Sequence, residues 1–268
     1  YGITLRKRLG QNFLVDPAIV DKIVLQSDVK TDDRVLEIGP GLGAMTEALC
    51  RRAAQVTAVE IDTRLADPLT DILSGYDNLS LVFKDFCKTT PDELFSKTAR
   101  PTRVVSNLPY AMMTPILQSV FSQYASSADT MTFLVEEIAL RRLIAKVSSD
   151  AYGPLAVLFA IYNKRYQRLL VHPHSFYPMP RTRSVALICQ SDQHAAAVLT
   201  PTFLSFVRMS FATRRKTLIN RLLGMPGYSF EKNELLSLFA KLEIRSDARP
   251  QDVLPVGYAD IFAWMQNR

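Results

Sequence analysis

An α/β fold with a doubly wound parallel sheet, followed by a small all-helical C-terminal domain, is predicted by three observations. Short apolar runs alternate with helix-like stretches from residue 34 to about residue 190, the pattern of parallel βαβ units. The first run closes on the turn Gly39-Pro40-Gly41-Leu42-Gly43, as in Rossmann-like nucleotide-binding sheets. Beyond Ser191-Asp192-Gln193-His194 the alternation stops and apolar residues recur only at helical spacing. The expected division is an α/β domain over residues 1–190 and a helical domain over 191–268.

Arg34-Val35-Leu36-Glu37-Ile38 is apolar and β-branched enough for the first strand, and a helix should follow the glycines over 44–53. Residues 55–60 read as the second strand, 65–73 as a helix and 79–83 as the third strand. The fourth strand begins at Arg103-Val104-Val105 and ends before Pro109, which has no N–H to give to a ladder. A helix over 114–124, a strand over 130–135 and a helix over 136–146 come next. The runs 155–166 and 184–189 are expected as final strands, the last antiparallel. In the C-terminal region, Phe203, Phe206 and Phe211 form an apolar helix stripe better suited to a core than to stacking bases.

With 268 residues, 48% apolar and 22% charged, the chain has the composition of an ordinary globular protein. No apolar run approaches the roughly 18 residues of a membrane-spanning helix. Tyr1 to Arg8 has no hydrophobic core behind its charges, unlike a secretory signal. Cys50, Cys87 and Cys189 are odd in number and far apart, which fits a reducing cytoplasm rather than a disulfide framework. His172 and His174 have metal-like spacing without a third ligand nearby, and Glu136-Glu137 read as helix-start acids.

The net charge of +6 is unevenly spread. Arg208, Arg214, Arg215, Lys216 and Arg221 lie in one acid-free stretch, and a second runs from Lys164 to Arg183 through Arg165, Arg168 and Arg181. Such runs are either solvated faces or docking sites for a polyanion, whose binding is driven by counterion release.

Four strand ends carry candidate ligand groups. Gly39 and Gly41 let a ligand approach the backbone beside a helix N-terminus. Glu60, at the end of the second strand, stands where an acid can accept both hydroxyls of a ribose. Asp85-Phe86 follows the third strand, offering an acceptor for an adenine amine with Phe86 or Ile61 against the ring. Asn107-Leu108-Pro109-Tyr110 ends the fourth. There a carboxamide oxygen and a backbone carbonyl can accept the two hydrogens of an exocyclic amine, while an aromatic face stacks its base.

Taken in order, these motifs resemble the ribosomal RNA adenine dimethyltransferases. The resemblance starts at Leu9-Gly10-Gln11-Asn12-Phe13-Leu14-Val15-Asp16 and runs through the four strand ends. It continues to Ser175-Phe176-Tyr177-Pro178-Met179-Pro180, Arg183-Ser184-Val185-Ala186 and Phe211-Ala212-Thr213-Arg214-Arg215-Lys216-Thr217. It implies a methyltransferase sheet over 1–190 that binds S-adenosyl-L-methionine, and an RNA-substrate domain over 191–268. Asn12 and Leu14 would close over the cofactor, Gly39 and Gly41 approach its methionine end, Glu60 take its ribose, and Ile61, Asp85, Phe86 and Asn107 complete its site. Asn107 and the Leu108 carbonyl would receive the substrate amine, with Tyr110 and Phe176 on the two faces of the base. Ala111 departs from the polar residue common at that position in the family.

The implied reaction is dimethylation of two adjacent adenosines near the 3′ end of small-subunit ribosomal RNA, by a cytoplasmic monomer acting on RNA or immature subunits. Arg208, Arg214, Arg215, Lys216 and Arg221 would hold RNA phosphates, and no metal is called for. Three rival readings are a large-subunit dimethyltransferase conferring macrolide resistance, a non-catalytic ribosome-assembly factor, and an NAD-dependent oxidoreductase. The last explains Gly39 to Ala44 and Glu60 but neither Asn107 to Tyr110 nor the basic runs.

Overall fold

The computed structural model describes residues 12–96 and 98–267. Strands β2 (Arg34–Ile38), β3 (Gln55–Glu60), β4 (Leu79–Phe83), β5 (Arg103–Asn107), β6 (Thr130–Glu136), β7 (Asn163–Val171) and β9 (Ser184–Ser191) form one sheet in the order β4-β3-β2-β5-β6-β9-β7. The first five are parallel, and β9 runs antiparallel to both β6 and β7. The Rossmann-like class predicted by the alternation is therefore observed. The remaining strands, β1 (Phe13–Leu14) and β8 (Phe176–Tyr177), pair with each other as a small separate ribbon.

Two apolar layers sandwich the sheet. One contains α1 (Pro17–Gln26) and α2 (Ala44–Cys50), with Val20, Ile23, Val24, Met45 and Leu49 buried against Val35, Val56 and Val105. Asp16 caps α1 by accepting from the amides of Ala18 and Ile19, ahead of Pro17 at the first helical position. The other layer is built from α5 (Met113–Tyr124) and α7 (Pro154–Tyr162).

That second layer continues without a break into α9 (Pro201–Phe211), α10 (Leu218–Leu223), α11 (Lys232–Lys241) and α12 (Pro255–Gln266). Phe203 and Phe206 pack on Phe262 at ring separations of 5.3 and 5.5 Å, so the aromatic stripe is core. Burying each such ring contributes on the order of 1.5–3 kcal/mol. The buried Tyr152 ties the helices to the sheet domain by donating its hydroxyl to the Val253 carbonyl, and Tyr258 donates to the Pro250 carbonyl within the helical region.

The run 155–166 is corrected. It is helical through Tyr162 and becomes strand β7 only at Asn163. Residues 155–159, 161 and 162 are all buried, and a helix that is apolar all round shows no amphipathic period to separate it from a buried strand. Pro154 at its first turn marks the start.

Candidate active site

Strands β2 to β5 are parallel neighbours, so their carboxyl ends share one rim. The chain winds from β2 outward through β3 to β4, then returns to the other side of β2 as β5. Ligands of open α/β sheets bind at such a reversal. A cleft with a cavity volume of about 160 Å³ lies there, lined by Asn12, Leu14, Gly39, Gly41, Glu60, Ile61, Asp85, Phe86, Asn107 and Leu108. Every residue the sequence assigned to the cofactor is in that lining.

The glycine turn forms one wall. Gly41 has φ +62°, and a Cβ there would lie 2.7 Å from Cδ1 of Phe13. Backbone strain and lack of space therefore both require glycine. Glu60 faces this turn, its carboxylate accepting from the Gly41 amide at 3.1 Å and the Asp62 amide at 2.8 Å. Burial raises its pKa, and the two amide bonds oppose the rise. Beside it, Ile61 is 49% exposed, an apolar surface presented to the cleft. Asp85 accepts from the Cys87 amide at 3.1 Å, and Phe86 stacks on Tyr124 behind it.

A strap crosses the opposite wall. Asn107 donates through Nδ2 to the carbonyl of Asn12 at 2.9 Å, which commits the amine end of its carboxamide and leaves Oδ1 as the acceptor. The Leu108 amide donates to the Leu134 carbonyl, continuing the β5–β6 ladder one residue before Pro109 ends it. The β1–β8 pairing and a bond from the Val15 amide to the Ser175 carbonyl hold the strap in place. The Ser175 hydroxyl adds a bond to Asp16 at 3.1 Å.

Phe176 does not line the cleft; it is 4% exposed and packs with Leu14 and Val171 in the α1–α2 layer. The pairing of β8 with β1 turns this ring into the core and leaves Tyr177 exposed instead. The Tyr110 side chain and residues 9–11 of the N-terminal motif lie outside the described residues.

One functional group passed unassigned at the sequence level. Glu37 lines the cleft yet is 1% exposed, and its Oε2 has no hydrogen-bond partner among the described residues. Burial pushes its pKa up to about 8; the Thr46 hydroxyl opposes the rise and the charge of Glu60 adds to it. Its place as the acid two residues before Gly39 was the available signal.

Of the basic cluster, Arg208, Arg214, Arg215 and Lys216 are exposed. Arg221 is half-buried and donates to the Met209 carbonyl at 2.7 Å, near the C-terminal end of α9.

Residues 2–266 match the family model described as ribosomal RNA adenine dimethylase. A protein of Geobacillus kaustophilus named ribosomal RNA small subunit methyltransferase A is 37% identical over 252 residues, covering 91% of this chain and 85% of its own. Its namesake in Listeria welshimeri is 36% identical over 243 residues, 88% of this chain and 82% of its own. Among solved structures, a dimethyladenosine transferase from Plasmodium falciparum superposes with a TM-score of 0.73 at 22% identity, covering 95% of this chain and 98% of its own. A 23S rRNA methyltransferase does so with a TM-score of 0.61 at 24% identity, covering 95% and 100%. Both structures share the fold described above. On the family match and these sequence identities, the chain belongs to the ribosomal RNA adenine dimethyltransferases.

Proposed function

We propose that the chain dimethylates the 6-amino groups of two adjacent adenosines near the 3′ end of small-subunit ribosomal RNA, with S-adenosyl-L-methionine as donor. The observation that carries the reading is the latched Asn107, held by the Asn12 carbonyl with its oxygen as acceptor beside Leu108 in a cleft at the strand ends. The names of the curated relatives favour the small subunit over the large one.

The cleft fits a nucleoside bearing a charged amino-acid arm. Glu37 contributes a buried oxygen without a partner, suited to a cationic group. The Gly39–Gly41 turn offers backbone where side chains would intrude. Glu60 keeps lone pairs for ribose hydroxyls beyond the two amides it already accepts, since a carboxylate has about four acceptor sites. Ile61 and Phe86 would flank the adenine, with Asp85 accepting from its amine.

When bound, S-adenosyl-L-methionine supplies a methyl group on a positively charged sulfur. The residues of this chain position the other reactant. The amine of adenine is a weak nucleophile because its lone pair is delocalised into the ring. Asn107 Oδ1 and the Leu108 carbonyl would accept its hydrogens, localise the lone pair and aim it. Their dipoles also stabilise the positive charge that develops on nitrogen, without reorganisation. After one methylation a single hydrogen remains, so one acceptor must release before the second. Tyr110 would stack on the target base. The buried Phe176 leaves the proposal as a stacking partner.

The target base must leave its stack to reach the cleft. Arg208, Arg214, Arg215 and Lys216 would hold flanking phosphates, contributing affinity more than sequence choice. The helical region over 191–268 would select the folded RNA. This reading places a monomer on assembling subunits in the cytoplasm.

The test is transfer of labelled methyl groups to immature small and large ribosomal subunits side by side, with the modified base mapped. Dimethyladenosine in the small subunit supports the proposal. Label only in the large subunit, or none with cofactor bound, would overturn it.

A further inference from the structure

The acid-free run from Lys164 to Arg183 remains unexplained by the site above. In the fold it supplies β7, an edge strand exposed from Lys164 to Arg168, and the segment leading into β9. These flank α6 (Glu137–Leu143), and the three together line a surface groove containing Arg141, Arg168, Arg181 and Arg183.

The charge of this groove is not neutralised internally. Arg183 pairs with Glu137 at 3.0 Å, and the Thr182 hydroxyl occupies Glu136 at 2.8 Å. Among the described residues no ion pair is formed by Arg141, Arg168 or Arg181. Arg168 lies with its Cζ 5.5 Å from the ring of Tyr166, in cation–π range. Three unpaired guanidinium groups in one concave surface match phosphate oxygens, which arginine can grip through two parallel bonds.

The groove's position relates it to the cleft. Asn107 pairs with Leu134 on β6, and α6 begins three residues later at Glu137, about 10 Å along the strand direction. On the far side, Arg214 donates to the carbonyls of Asp150 and Ser149, in the loop that connects α6 to α7. The groove therefore adjoins the cleft at one end of α6, while the loop at its other end contacts the second basic cluster.

We infer that this groove is a second binding surface for RNA phosphates, holding the strand that flanks the target base. The inference rests on the rRNA methyltransferase reading above. The three free arginines on α6, β7 and the β9 approach would grip the backbone. Exposed Ile138 and Leu170, 62% and 38% accessible, would offer apolar contact to sugar or base.

The test uses the full chain with Arg141→Gln, Arg168→Gln and Arg181→Gln combined, binding immature small ribosomal subunits at several salt concentrations. Each lost phosphate contact lowers the slope of log Kd against log salt by about 0.7–0.9, so a drop of about 2–3 is expected. The triple Arg→Lys variant should keep most of the slope. An unchanged slope in a glutamine variant whose Tm and cofactor affinity match the parent overturns the inference. Independently of that variant's folding, a photo-crosslinking amino acid at Leu170 should yield an RNA adduct. A ribosomal-protein adduct, or none, counts against RNA as the occupant. If the parent methylates small subunits while the slope is unchanged, the groove alone fails. If the parent methylates no rRNA, the underlying reading fails with it.

Discussion

The two ends of the central sheet handle buried charge in opposite ways. At the amino ends of the strands Arg103 is enclosed, 3.3 Å from Asp33 and 3.0 Å from Asp129. Asp33 also accepts from the Lys30 amide and the Thr102 hydroxyl. At the carboxyl ends Glu37 and Glu60 lie buried near one another, and one oxygen of Glu37 has no hydrogen-bond partner among the described residues. Opposed charges paired at ion-pair distance hold the sheet together, although Nε of Arg103 makes no hydrogen bond among the described residues. Two buried acids in a cleft, one of them holding its proton, are costly to ionise in the free protein and become favourable partners for a bound cation. The difference separates scaffold from site within strands five residues long.

The largest expected effect is at the site end. Asn107→Ala removes the acceptor proposed for the substrate amine, and should cut the methylation rate by about 10²–10³-fold, as loss of one aligned polar group does elsewhere. The cofactor Kd should change little, because the β1–β8 ribbon and the Val15–Ser175 bond still hold the strap. Equal losses in rate and cofactor affinity, measured by single turnover and calorimetry, would mean that Asn107 serves the strap alone.

At the scaffold end the prediction is reversed. Arg103→Met strands the buried Asp33 and should lower stability by about 3–5 kcal/mol in urea unfolding. Rate and cofactor affinity should stay at parental values wherever the variant is folded. A variant of parental stability but impaired turnover would erase the contrast between the two ends.

Glu60→Ala should weaken cofactor binding about 10–100-fold, the range for losing one or two hydrogen bonds to a charged group. An unchanged Kd in titration calorimetry would remove Glu60 from the ribose site.

Much of this contrast was legible in the sequence, and the rest was hidden for identifiable reasons. The strand ends carrying Gly39, Glu60, Asp85 and Asn107 were readable because each follows a short apolar run and the runs share one direction. The helix over 154–162 was hidden because burial on all sides erases its period. The β1–β8 ribbon is two residues per strand and pairs positions more than 160 apart, so no local signal could place Phe176 in the core. Arg221 looked like one more free cation in the run, but its partner is a carbonyl 12 residues back. Glu37 was visible as a residue but not as a buried acid, since its burial comes from α2 and β3 closing around it.

Glu37 also gives the subtlest way to probe the comparison. Its pKa rises from 4.5 to about 8 in the folded protein, chiefly through burial. Between those values the folded chain retains a proton that the unfolded chain has lost. The stabilising contribution of this proton is full below about pH 4.5 and disappears as pH rises toward 8. Glu37→Gln keeps the shape but cannot ionise, so its stability should exceed the parent's by a margin that grows from pH 5 to pH 8. The amino-end pair offers no such gain, because removing either partner there leaves a charge behind. A cationic cofactor should draw the Glu37 proton off, so binding near pH 7 should release protons in the parent and fewer in the glutamine variant. Calorimetry in buffers of different ionisation enthalpy measures that number directly. Parallel stability profiles and equal proton release would show that the buried acid is neutral scaffold, and the contrast between the two ends would then rest on Glu60 alone.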